Sequence, residues 1–166
     1  MTFNWNEPMN QKEEKAIKEF MIHMYDAFIK WSDDRNIDHA LYFMVREITK
    51  AIGALKNLKM SLDAKIIIGK CYCWKDVEKK VKTFSNKITL DHDPPAKMFY
   101  DEFRIKKSEN KPFTYADADR WLNTAHYVAI TKEEDKLLRS RGWWKERPTD
   151  AYEQLGIETV EVWKNK

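Results

Sequence analysis

The chain has four histidines, at positions 23, 39, 92 and 126, and their neighbours divide them. His23 and His39 lie inside helical apolar patterns, with no Cys, second His or acid at ligand spacing that also has supporting loop chemistry, and read as surface or packing residues. His92 stands between two carboxylates, Asp91 and Asp93, directly before Pro94-Pro95. An adjacent carboxylate favours the imidazolium, and a metal ion on one of the acids would relieve that pull. Downstream, Asp119, Asn123 and His126 follow the i, i+4, i+7 spacing of one helix face. A divalent metal needs two or three convergent oxygen and nitrogen ligands plus open positions for water and substrate. Asp91 with His126 is the pair that the pattern offers. The competing reading leaves Asp119 and Asn123 facing solvent and sets His126 near a helix C-terminus, where it complements the dipole. Cys71 and Cys73 are one residue apart, too close for an ordinary bridge, and read as reduced thiols rather than metal ligands.

These groups need elements to carry them. From Pro8 to Trp31 the apolar residues Ile17, Phe20, Met21, Met24 and Phe28 recur at three- and four-residue steps, which predicts a long amphipathic helix. Leu41, Met44, Val45, Ile48, Ile52 and Leu55 repeat the pattern up to about Lys59 and predict a second helix packed on the first. Ser61 offers an N-cap, and Ile67, Cys71, Trp74, Val81 and Phe84 fit one further helical face, although Ile66 to Trp74 also suits a strand. Ile88, Thr89 and Leu90 predict a strand that delivers His92 to a turn, and Lys97 to Ile105 is expected to return as a second strand. Thr114 with Asp117 opens a helix bearing Trp121, Leu122, Ala125 and Val128. Thr131 with Glu134 is a capping box for another helix, which Gly142 ends. A short helix up to Gly156 and an edge strand from Glu158 to Trp163 close the chain. The expected class is mostly helical α+β. An N-terminal helical bundle over 1–86 precedes a small ββα-like element with C-terminal helices over 87–166, and the two regions can pack as one domain.

Composition sets the outer bounds. With 166 residues, 43% hydrophobic and only four Gly, the chain suits one folded domain rather than a linker or a low-complexity segment. Local apolar runs such as Ile66 to Ile68 are far short of the roughly 20 residues that a bilayer crossing needs. Met1 to Asn10 lacks a basic start followed by an apolar block, so a cytoplasmic location is expected. The formal charge of +3 is unevenly spread: between Ser61 and Leu90 seven lysines face three acids. Such a segment neutralises phosphates or forms a solvated helix face. Trp143 and Trp144, flanked by Arg141, Lys145 and Arg147, suit stacking on bases or on a partner, or the closing of a small core.

The segment Leu90-Asp91-His92-Asp93-Pro94-Pro95, followed by Asn123, His126 and Thr131-Lys132-Glu133-Glu134-Asp135, resembles the ββα-metal core of the HNH endonucleases over about residues 87–141. The resemblance implies phosphodiester hydrolysis in nucleic acid, chiefly DNA, with Mg²⁺ or Mn²⁺ as cofactor. Asp91 and His126 would bind the metal, His92 would activate water, and Asn123 would orient His92, with Asn110 as the other candidate Asn. Lys87, Lys97, Arg104, Arg141 and Lys145 would meet the nucleic acid. The zinc-binding Cys pairs that brace many members are absent from this sequence. The alternative is a non-catalytic accessory or inhibitor protein of phage or bacterial type, binding nucleic acid or another protein. In either reading the N-terminal helices are a nucleic-acid grip, a homodimer interface or scaffold.

Overall fold

The computed structural model describes residues 4–163. Helix α1, Gln11–Trp31, starts at a full capping box in which Asn10 and Glu13 satisfy each other's backbone N–H groups. Helix α2, Arg35–Leu55, is capped by Asp34. Strand β1, Leu58–Ser61, follows at once, and Ser61 caps helix α3, Leu62–Ile68. After Gly69 come helix α4, Trp74–Thr83, strand β2, Ile88–Asp93, helix α5, Ala96–Ser108, and helix α6, Tyr115–Thr124. Strand β3, His126–Thr131, runs directly into helix α7, Lys132–Ser140. Helix α8, Ala151–Gln154, and strand β4, Thr159–Glu161, complete the described chain. The mostly helical α+β class is as expected.

The strands form one sheet in the order β2-β3-β1-β4, with β1 parallel to β3 and both outer strands antiparallel to their neighbours. Its two faces have different partners. Leu58, Met60, Ile88, Tyr127 and Ala129 pack with α3 and α4 through Ala64, Ile68, Trp74 and Val77. Val128 and Ile130 face the other way, against Leu138 of α7 and Ala151 and Tyr152 of α8. Helices α1, α2, α5 and α6 build a third cluster around Phe28, Phe103 and Trp121. Apolar burial of this kind contributes roughly 25 cal/mol per Å². Helix α2 joins this cluster to the sheet at Gly53, where a Cβ would lie 2.6 Å from the Tyr127 nitrogen, so only glycine permits the approach.

Four elements differ from the sequence reading. The stretch from Ser61 to Phe84 is two helices, α3 and α4, parted at Gly69, whose φ of 70° lies outside the helical region. Residues 97–105 form part of a helix, not a second strand: Ala96, Phe99, Tyr100 and Phe103 follow the helical period and are buried against α1 and α2. The partner of β2 is therefore β3, reached after two helices. The second helix stops at Leu55 instead of near Lys59, and Leu58–Ser61 is a strand too short to display alternation. Asn123 and His126 do not share a helix face, because α6 ends at Thr124, with the Asn57 side chain donating to the Leu122 and Ala125 carbonyls, and His126 opens β3.

Candidate functional site

Strand alternation decides how the Asp-His-Asp segment is used. In the β2–β3 ladder Asp91 opposes Val128, His92 opposes Tyr127, and Asp93 opposes His126. Asp91, Asp93 and His126 thus project on the α7/α8 face, and His92 projects on the face shared with α2 and α4.

Asp91 is fully engaged. Its two carboxylate oxygens accept from the Arg147 guanidinium at 2.5 and 3.1 Å, and one also accepts from the Tyr152 hydroxyl at 2.6 Å. Arg147 is buried and its Nε donates to the Trp143 carbonyl at 2.9 Å. A bidentate pair of this kind fixes the segment after α7 onto the sheet. Asp93 lies 3.8 Å from the same guanidinium and lines a cavity of about 500 Å³ with Lys59, Thr149, Tyr152 and Glu158. Burial pushes its pKa up to about 6, against the pull of Arg147. His126 stands directly across the ladder; burial lowers its pKa, aided by Lys59, while hydrogen bonding to the backbone at Asp93 and Thr124 opposes the shift.

His92 is partly buried, its ring edge-on to Tyr127 with centroids 4.8 Å apart. Burial lowers its pKa to about 4, with Asp91 opposing and Arg46, Lys50 and Arg147 reinforcing the shift, so the ring is neutral at neutral pH. Tyr127 also packs on Trp74, with centroids 5.2 Å apart.

The remaining expected residues scatter. Asn123 is exposed in the last turn of α6, and Asn110 has a positive φ of 51° in the turn after α5; neither lies on the Asp91–Asp93 strand. Asp119 pairs with Lys18 of α1. Lys97 pairs with Asp101, and Arg104 with Asp38 at 3.0 Å, both on the helical cluster. Lys87 is exposed just before β2, and Arg141 and Lys145 are exposed after α7, with the Lys145 ammonium 4.1 Å from the Trp144 ring. Arg147 and Tyr152 were not legible as site residues, since nothing in their spacing links them to position 91.

A divalent cation requires oxygen or nitrogen lone pairs that are free to bind it. Asp91 does not fit that role, because its oxygens already hold Arg147 and Tyr152. Asp93 lies at the cavity wall, but Arg147 is 3.8 Å away and the His126 ring opposite it already hydrogen-bonds to the backbone at Asp93 and Thr124, so this pair offers no open ligand set either. Among the described residues no group of three or more His, Cys, Asp or Glu side chains is gathered for a metal. Also among the described residues, no helix is long and apolar enough to cross a membrane. No protein-family model, curated protein or solved structure matches the chain.

Proposed function

We propose that the chain binds nucleic acid and hydrolyses its phosphodiester bonds, with His92 as the base. The observation that carries the reading is the position of a neutral imidazole near the end of an edge strand, in an antiparallel β2–β3 pair that leads straight into α7. That strand-strand-helix order is the one implied by the resemblance to the HNH endonucleases, here with α5 and α6 inserted between the strands. In the hydrolytic step His92 takes a proton from water, the resulting hydroxide bonds to phosphorus, and the P–O bond to the leaving oxygen breaks. The leaving oxygen acquires its proton from solvent. A ring with a pKa of about 4 is ready as a base across the neutral range, although it is a weak one. Asp93 and His126 project on the opposite face of the sheet from His92, so they take no part in this step, and the Mg²⁺ or Mn²⁺ that the resemblance implies would have to reach the phosphate from the His92 face. Asp91 has the separate task of anchoring Arg147.

The test is nicking of supercoiled plasmid with Mg²⁺ or Mn²⁺. His92→Ala should abolish cleavage while the circular dichroism spectrum is kept, and Asn123→Ala should leave it unchanged. Cleavage that persists in His92→Ala sinks this assignment. The second reading, a non-catalytic accessory protein, is favoured by the Asp91–Arg147–Tyr152 network, in which an internal cation occupies the carboxylate that the family resemblance gives to a metal. Binding of nucleic acid without turnover under every metal tested would select it.

A further inference from the structure

We propose that Arg46 and Lys50 of α2 clamp a phosphodiester over His92 and that the adjoining groove between α1 and α2 receives a base of the same single strand. The inference rests on the site proposed above and adds the residues that bind its substrate.

Arg46, Lys50 and Gly53 follow i, i+4, i+7 and so form one stripe of α2. Gly53 is pressed against the backbone of His126 and Tyr127 in β3. The chain leaves α2 for β1, which lies on the far side of β3 from β2. Going backward along the stripe from Gly53 therefore leads from β3 toward β2, and α2 packs against both strands. This places Arg46 and Lys50 on the same side of the sheet as His92. Their electrostatic influence on the His92 ring, and that of Arg46 on Tyr127, agree with this placement.

Charge and shape both favour a nucleotide. Arg46 is exposed and, among the described residues, has no carboxylate within ion-pair distance, while Lys50 is only 3.9 Å from the exposed Glu47. A guanidinium and an ammonium side by side suit a phosphate, which the planar fork of arginine binds through two oxygens. Glu47 and Glu78 near this face, and Asp91 from across the sheet, limit the excess of positive charge. Lys50 and Glu47 also line a groove of about 350 Å³ whose other walls include Trp5, Phe20 and Met44. Phe20 and Met44 are 38% and 40% exposed, which leaves apolar surface for a base to cover.

The experiment measures binding of fluorescein-labelled dodecathymidylate by anisotropy across a salt series, together with cleavage of the same strand. The double variant R46A/K50A should weaken binding by about tenfold or more and reduce the dependence of log Kd on log salt by on the order of one unit, since about 0.7 is lost per phosphate contact on a single strand. The charge-conserving pair R46K/K50R should retain the wild-type salt slope, and F20A should weaken binding with the slope unchanged. Wild-type affinity and slope in R46A/K50A would overturn the clamp, whether or not the strand is cleaved, and so would a wild-type chain that fails to bind the strand. Dependence of binding on Arg46 and Lys50 without any turnover would uphold the clamp and remove the hydrolytic function instead.

Discussion

The three consecutive residues Asp91, His92 and Asp93 have the same neighbours in sequence and different environments in space. Asp91 meets a guanidinium and a hydroxyl, Asp93 a cavity, and His92 an aromatic ring. Their titration follows. His92 has a folded pKa of about 4, below its ordinary value of 6.5, so it contributes stability above pH 6.5 that is lost as pH falls through about 4. Asp93 has a folded pKa of about 6, above 3.8, so its contribution is present below pH 3.8 and lost as pH rises through about 6. The two oppose each other between about pH 4 and 6. Thermal melts should therefore show His92→Gln flattening the acid-side fall, by on the order of 3 kcal/mol at pH 4, and Asp93→Asn raising stability at pH 7 relative to pH 4. An unchanged pH profile in His92→Gln would show that the ring is not buried as described. At Asp91 the expectation is different, because removing it leaves the buried Arg147 charge with only the more distant Asp93. Asp91→Ala should cost about 3 to 5 kcal/mol, read from denaturant midpoints, and the apolar pair Asp91→Leu with Arg147→Met should recover much of it.

Helices announce themselves by period and caps, and most were legible for that reason. Asn10 with Glu13, Thr114 with Asp117, and Thr131 with Glu134 all form the reciprocal bonds of a capping box. The Lys97 to Ile105 segment was misread because its aromatic residues suit either a strand or a buried helix, and only packing against α1 and α2 selects the helix. Strand β1 was hidden between two helices, its pairing supplied by β3 and β4 from far along the chain. The seat of α2 on β3 carries its own prediction. Gly53→Ala brings a methyl group within 2.7 Å of backbone and the Tyr127 Cβ, so α2 must shift. The helix-propensity gain of about 1 kcal/mol from Gly to Ala should be outweighed, with a net loss of about 1 to 3 kcal/mol in chemical denaturation. Stabilisation by Gly53→Ala would refute the close approach.

At the scale of the molecule, the boundary at residue 86 does not separate two cores. Helices α5 and α6 fill the cluster begun by α1 and α2, and β1 pairs with β3. A fragment of residues 1–86 leaves Phe28 and Leu55 without the Phe103 and Trp121 cluster that covers them, and should lack a cooperative melt by circular dichroism, whereas the full chain should unfold in one transition. A cooperative melt of the fragment would divide the protein after all. The sequence by itself determined the helical majority, the caps, the strand through His92 and the short edge strand at the end, because period and capping act within a few residues. Tertiary structure alone decided that Arg147 claims Asp91, that His126 opens a strand, and that α2 brings Arg46 and Lys50 to the face of His92. Those pairings join residues dozens of positions apart, and their energies depend on desolvation and approach distance that local spacing does not encode.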